Sequence, residues 1–240
     1  MAYEGTCYAG WQRQKNARTI QGTLEQAFHK ILGEKVHVVA AGRTDSGVHA
    51  EGQVAHAQIR SRIVLSSLLK ALNAVLPEDV LIRSVRRAST GFHARYSAKE
   101  KLYRYTIHND PLRPLFDRER VLHVSARLDV SKMRQAARLL KGRHDFRAFH
   151  SSGRPVAQTI RNLRRLAITK KNHRIRIDAQ ADGFLYHMVR RMTGLMLEIG
   201  KGKYPPEIVG EMLKGKSRVA APTAPAQGLS LIQVRYEDQS

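Results

Sequence analysis

The sequence predicts an α+β fold made of two pseudo-duplicated halves around a mainly antiparallel sheet. Three observations carry that expectation. Apolar residues recur at helical spacing in stretches with recognisable caps, and short β-branched or alternating runs stand between them. The order of elements in the first half then partly recurs in the second. Helices gathered on one face of a sheet bury the apolar side of both.

In order along the chain, Thr19 is placed to cap a helix carrying Ile20, Leu24, Ala27, Phe28, Ile31 and Leu32 on one side, closed by Gly33. Val36 to Ala40 is short, apolar and β-branched, as a buried strand is. Gly52 to Ile59 alternates Val54, His56 and Gln58 with Ala55, Ala57 and Ile59. Ser66 is placed to cap a second helix with Leu68, Leu69, Leu72 and Leu76 inward, stopped by Pro77. Val80 to Arg87 and Ala98 to His108 read as strands. The turn formers and two prolines of Asn109 to Pro114 then suggest a boundary between an N-terminal domain, 1–108, and a C-terminal domain, 109–240.

Beyond that boundary Ser131 opens a helix with Met133, Ala136, Ala137 and Leu140, ending at Gly142. Thr159 to Thr169 and His173 to Ala181 form a strand pair, the second alternating Ile175, Ile177 and Ala179 against Arg174, Arg176 and Asp178. After Asp182-Gly183 a long helix places Leu185, Met188, Val189, Met192, Leu195, Met196 and Ile199 inward and stops at Gly200. Pro205-Pro206 starts a short helix to Leu213, and Leu229 to Tyr236 is a last strand.

Charge narrows the partner. The chain has 42 basic against 20 acidic residues, a net charge of +22 that repels itself unless a polyanion compensates it. Two tracts hold no acid. One, between Asp145 and Asp178, contains Arg147, Arg154, Arg161, Arg164, Arg165, Lys170, Lys171, Arg174 and Arg176; the other, between Asp79 and Glu100, contains Arg83, Arg86, Arg87, Arg95 and Lys99. Two such tracts fit a phosphate-tracking surface better than a merely solvated face. Nucleic acid is the partner they favour, with an anionic membrane surface as the alternative. No run approaches the ~18 apolar residues of a membrane span. Met1 to Gly5 lacks the basic and apolar regions of a signal peptide. The single cysteine, Cys7, leaves no internal disulfide and no multi-cysteine zinc site, which fits a reducing cytoplasm.

Between the two strands of the first half lies Ala41-Gly42-Arg43-Thr44-Asp45-Ser46-Gly47-Val48-His49-Ala50. A strand on each side would hold the Asp45 carboxylate in a set direction, as a catalytic loop requires. The same composition also suits a plain surface turn. No second carboxylate stands at close spacing, so a paired-carboxylate glycosidase has little support. Asp45, His49 and His56 could be offered to a metal, yet the seven-residue separation of the histidines matches no recognised ligand spacing. Gly42 and Gly47 lack the lysine and hydroxyl of a phosphate-binding loop, and no serine has the context of a nucleophile elbow. What remains is one aspartate beside an arginine in a chain made to hold polyanions.

This ten-residue stretch resembles the signature of the tRNA pseudouridine synthase A family, with Ser46 where that family usually has alanine. The resemblance continues over nearly the whole chain. Gly10-Trp11-Gln12-Arg13-Gln14 is similar to the family's first loop, and Phe92-His93-Ala94-Arg95-Tyr96-Ser97-Ala98 to its approach to the strand with Tyr103-Arg104-Tyr105. His144-Asp145-Phe146, Gly183 to Arg190 and the closing Ala221 to Leu229 agree in the second half.

The resemblance implies two ferredoxin-like halves around a central antiparallel sheet with a basic cleft, working as a homodimer. It implies an isomerase that converts uridine to pseudouridine at positions 38, 39 and 40 of the tRNA anticodon stem-loop. By matching motifs Asp45 would be the nucleophile, Arg190 its charge partner and Tyr103 the aromatic against the target base. Arg43 would enter the RNA stack and help hold the flipped nucleotide out. The reaction breaks the N1–C1′ bond, turns the base and rejoins it through C5, with no redox change and no net water, so neither a metal nor an organic cofactor is implied. An arginine beside a carboxylate favours the ionised form that a nucleophile needs. Attack at C1′ and attack at C6 both remain open.

Each of these residues also has an ordinary reading: Tyr103 as a packing residue of a strand, Arg190 beside Arg191 as a solvated charge, Trp11 as the anchor of the first loop. A non-catalytic RNA-binding protein and a metal-dependent nuclease are the competing functions. Met1 falls where family members are already within their first strand, so that strand is expected to be cut to a few residues, or the start to lie upstream, with some loss of stability.

Overall fold

A computed structural model describes residues 1–151 and 158–237 and shows a mixed α+β fold whose strand pairs are mostly antiparallel. Arg154, counted above in the acid-free tract, lies outside the described residues. The chain forms two compact units, Met1–Lys99 with Ser230–Ser240, and Glu100–Leu229.

The first unit begins with strand β1 (Ala2–Tyr3) and helix α1 (Ile20–Leu32), followed by β2 (Val38–Ala40), β3 (His49–Ala50), β4 (Ala55–Ala57), α2 (Leu65–Val75) and β5 (Val80–Leu81). α1 has the expected bounds: the Thr19 hydroxyl accepts from the Gly22 N–H and Gly33 closes the last turn. Its buried side carries Ile20, Gln21, Leu24 and Ala27. β1 lies between β5 and β3, antiparallel to both, with Tyr3 opposite Val80 and Ala50. β2 and β4 form a separate antiparallel pair in which Ala40 faces Ala55 and Val39 faces His56. That pair fixes Ala40, from which the Asp45 segment departs.

Two expectations shift here. α2 starts at Leu65, a residue before the expected Ser66 cap, and no side chain caps it. The strand expected to run from Val80 to Arg87 stops at Leu81, because the Asn73 amide takes over the backbone of Ile82, donating to its carbonyl (2.9 Å) and accepting from its N–H (2.8 Å).

The second unit is built on β6 (Glu100–Asn109), then β7 (Leu122–Val124), α3 (Val130–Leu140), β8 (Gly142–Asp145), β9 (Ile160–Lys171), β10 (Arg174–Ala181), α4 (Met188–Gly200) and α5 (Ile208–Leu213). Its sheet runs β7-β6-β10-β9-β8, antiparallel except for β6 with β7. Tyr103, Tyr105 and Ile107 of β6 bury one face together with Ile175, Ile177 and Ala179 of β10, as the alternation required. Met133, Ala136, Ala137 and Leu140 of α3 and Met188, Met192, Leu195 and Met196 of α4 complete that core. α3 is capped by Asp129 rather than Ser131, its carboxylate accepting from the Lys132 N–H. α4 begins at Met188 rather than Leu185, since His187 takes a left-handed conformation (φ 61°) that a helix cannot contain.

The last strand, β11 (Leu229–Arg235), returns from Ser230 onward to the first unit, where Ser230 and Leu231 pair in parallel with His49 and Ala50 of β3. The halves 1–108 and 109–240 therefore do not coincide with the compact units. The turn at Asn109–Pro114 falls inside the second unit, because β6 is paired with β10 from Lys101 to His108.

Candidate active site

The Asp45 segment leaves β2 and enters β3 with its inner side tied down at every step. Thr44 is buried between exposed Arg43 and half-buried Asp45. Its hydroxyl shares a 2.8 Å hydrogen bond with the Tyr3 phenol. The Gln53 amide donates to that phenol (3.3 Å) and to the Gly42 carbonyl (2.9 Å), and Gln53 has no exposed surface. Burial pushes the Tyr3 hydroxyl up to about 12, against the opposing hydrogen bonds from Thr44 and Gln53, so it stays neutral in this network. Such a group is costly to bury alone and stabilising when fully partnered.

The first loop supports the segment from behind. The Trp11 N–H donates to the Thr44 carbonyl (3.0 Å), and the buried Trp11 ring lies 6.3 Å from that of Tyr3. Gly10 takes a φ of 88°, and a Cβ there would meet the Thr44 carbonyl oxygen at 2.7 Å. Only glycine lets the two backbones approach this closely. The Val48 N–H donates to the Asp45 carbonyl (3.2 Å), closing a turn whose Gly47 N–H reaches the Tyr8 carbonyl (3.3 Å). The Ser46 hydroxyl donates to the same Tyr8 carbonyl (3.2 Å). Serine at this position therefore adds a tie to the first loop while remaining exposed.

Tyr103 and Arg190 belong to the second unit. Tyr103 is buried on β6, its ring edge-to-face with Phe184 at 5.2 Å. Arg190 stands in the first turn of α4 and is half-buried, not a solvated charge. Its Nε donates to the Ala224 carbonyl (2.8 Å), and the Ala224 N–H donates back to the Arg190 carbonyl (3.1 Å). Arg191 holds the same segment through the Ala221 carbonyl (3.1 Å) and also reaches that of His150 (2.7 Å). Burial pulls the Arg191 pKa down without threatening its charge. The Tyr105 hydroxyl donates to the Pro225 carbonyl (2.7 Å); burial pushes its pKa up, and the positive charge of Arg190 opposes that shift. Gly194 completes the fit, since a Cβ there would lie 1.9 Å from the Pro222 carbonyl oxygen.

Arg43 and Asp45 thus share one segment of the first unit, and Tyr103 and Arg190 share the second unit. The histidines weighed as metal ligands are engaged otherwise. His49 Nδ1 accepts from the Gly5 N–H (3.0 Å), and His56 Nδ1 accepts from the Ala94 N–H (3.1 Å). Among the described residues no group of three or more His, Cys, Asp or Glu side chains is arranged to hold a metal ion. Sequence reasoning passed over Gln53 and Tyr3 as supports of the loop. The one available signal was a glutamine at the start of a stretch otherwise expected to be strand. Tyr105 and Arg191 were likewise not seen as holding the closing segment.

Comparison with known proteins identifies relatives of the chain. The sequence model of the family described as tRNA pseudouridine synthase matches residues 1–97 and 136–237. A tRNA pseudouridine synthase A from Moorella thermoacetica is 45% identical over 239 residues, covering 98% of this chain and 97% of that protein. One from Acetivibrio thermocellus is 42% identical over 235 residues, covering 98% and 96%. One from Chlamydia muridarum is 45% identical over 242 residues, covering 98% and 90%.

Proposed function

The chain belongs to the tRNA pseudouridine synthase family, and from that premise we propose that it isomerises uridines 38, 39 and 40 of the tRNA anticodon stem-loop with Asp45 as nucleophile. The enzyme is an isomerase that turns uridine in tRNA into pseudouridine. The observation that supports Asp45 most is the way its segment is held. Thr44 is locked inward by Tyr3, Gln53 and Trp11, which limits the directions open to the neighbouring carboxylate.

In the proposed reaction the target base leaves the stack, at a cost of a few kcal/mol that phosphate contacts and stacking offset. Arg43, exposed beside Asp45, occupies the space the base vacates. The Asp45 carboxylate attacks, the N1–C1′ bond breaks with its electron pair going to the base, and the base turns. C5 then bonds to C1′, the bond made to Asp45 breaks and returns its electron pair to the carboxylate, C5 loses its proton and N1 gains one, so atoms and electrons balance without a redox partner. Arg190 is the proposed charge partner that favours the ionised nucleophile. Tyr103 packs against the target base, and its phenol is the proposed base or relay for the C5 proton.

The finer architecture is part of the same proposal: two pseudo-duplicated ferredoxin-like halves, an N-terminal one bearing the Asp45 loop and a C-terminal one completing the basic cleft. A homodimer is supported by an exposed apolar run, Leu112, Leu115 and Phe116, which a second copy would cover. No helix among the described residues is long and apolar enough to cross a membrane, and the cytoplasm is the proposed compartment.

Tritium release from tRNA transcripts labelled at C5 of uridine tests the substrate assignment. The proposal expects release from a wild-type transcript and none when positions 38, 39 and 40 are all cytidine. Equal release from both would place the reaction elsewhere in the tRNA, and binding without release from either would leave a non-catalytic RNA-binding protein.

A further inference from the structure

The segment Phe92–Ser97 has no part in the chemistry above, yet it is built with care. Its turn is held from three directions. The His93 N–H donates to the Ser97 hydroxyl (3.0 Å), and the Ser97 N–H donates to the His93 carbonyl (2.9 Å). Buried Ala94 donates to His56 Nδ1 of β4 and accepts from the Tyr236 hydroxyl (2.7 Å). His93 Nδ1 accepts from the N–H groups of both Arg95 and Tyr96 (each 3.2 Å), which fixes the imidazole relative to the turn.

What this scaffold presents is an aromatic ring. Tyr96 is 76% exposed, and its ring stacks on the fixed His93 imidazole at 4.3 Å with an interplanar angle of 30°. His93 in turn packs against His56 at 4.7 Å, and Phe92 against Tyr236 at 5.1 Å, so the exposed ring stands on a packed aromatic base. Exposed Arg95 carries its guanidinium 5.7 Å from the Tyr96 ring centroid. The surrounding tract, from Val80 to Lys99, has no acidic residue and includes exposed Arg86 and Arg87. A large ring turned to water gains little for folding. A pre-oriented ring in a basic tract loses little freedom when a flat ligand stacks on it.

We propose that Tyr96, supported by His93, is a stacking platform for an unpaired base of the RNA substrate other than the target uridine, with Arg95 taking an adjoining phosphate. The proposal rests on the reading of tRNA as the substrate. The Asp45 segment follows β2 at Ala40, whereas the platform is tied to His56 on β4 through the Ala94 N–H, so the ring belongs to a different segment from the proposed nucleophile.

The test compares Tyr96→Ala, Tyr96→Leu, Tyr96→Phe and Tyr96→Trp in direct tRNA binding and in tritium release. A base–aromatic stack supplies about tenfold in affinity. The expected result is a roughly tenfold loss of affinity for Ala and Leu, appearing in KM rather than kcat. Phe and Trp should restore binding to within about twofold, and the fluorescence of the indole introduced in the last variant should quench on adding tRNA. Unchanged binding by the Ala variant would overturn the proposal. So would equal losses in Phe and Ala, which would make the hydroxyl the contact. A changed association state with unchanged tRNA affinity would overturn it too, by assigning the ring to a second copy of the chain. Because affinity is read directly, loss of binding in the Ala variant with no tritium release by the wild type would remove the isomerase reading and leave the platform standing.

Discussion

The Asp45 segment of the first unit and the Arg190 region of the second are held by opposite means. The former rests on main-chain hydrogen bonds and neutral buried groups: Trp11 to Thr44, Tyr3 to Thr44, Gln53 to Gly42. The latter rests on cations, with Arg190 and Arg191 each closing on a carbonyl of the Ala221–Pro225 stretch. A neutral scaffold fixes a carboxylate without competing for its charge. A clamp of arginines does a second job, since burial pushes the Tyr105 pKa up and the Arg190 guanidinium that holds the closing segment opposes that shift. Positioning and electrostatics are thus separate in one region and combined in the other.

That contrast can be broken first at its tightest contact. Gly194→Ala puts a Cβ 1.9 Å from a backbone oxygen that has no free end to move, so α4 and the closing segment must part. Stability should fall by about 2–3 kcal/mol, as overpacking in cores does, measured by urea denaturation. Gly10→Ala strikes the other region. A Cβ at φ 88° against the Thr44 carbonyl should displace the Asp45 segment and slow tritium release by about 100-fold, with tRNA affinity little changed.

Smaller effects sharpen the neutral side of the comparison. Tyr3→Phe leaves the buried Thr44 hydroxyl without its 2.8 Å partner and should cost about 1–2 kcal/mol in chemical denaturation. The least effect concerns pH. Burial lowers the His56 pKa below the ordinary imidazole value of 6.5, with His93 and His37 adding to it. The unfolded chain then binds the proton first. The contribution of His56 is fully present above about pH 6.5 and is lost as pH falls toward the folded value. Thermal melts between pH 7.5 and 5.5 should show this slope in the wild type and less of it in His56→Gln. The arginine clamps of the second unit keep their charge across that range and should contribute no such slope.

Much of this arrangement could be read before any coordinates. Thr19 and Gly33 bound α1 through local capping chemistry, and the alternation of Ile175, Ile177 and Ala179 against charged neighbours is local as well. Local composition left the Arg43–Asp45 loop as much a surface turn as a site, and the family resemblance of its ten residues is what singled the pair out. Where the reading fell short, some causes were local, as with the Asp129 cap and the left-handed His187, and others were side chains from elsewhere in the chain. Asn73 ended β5 through Ile82. Tyr3 and Gln53 reach the Asp45 segment from elsewhere in the chain, and Tyr105 reaches Pro225 across 120 positions. Helix and strand periods carry no information about such pairings. The second compact unit begins at Glu100, where β6 starts the strand that pairs with β10.

The most direct measurement of the central claim is tritium release by Asp45→Asn under single-turnover conditions, with tRNA binding followed in the same samples. The side chain is half-buried and the change nearly isosteric, so the fold and the RNA contacts should persist. The account predicts tRNA affinity within about threefold of wild type, since the loop's supports remain, and no detectable release. Release at the wild-type rate would show that the carboxylate of Asp45 is not the nucleophile.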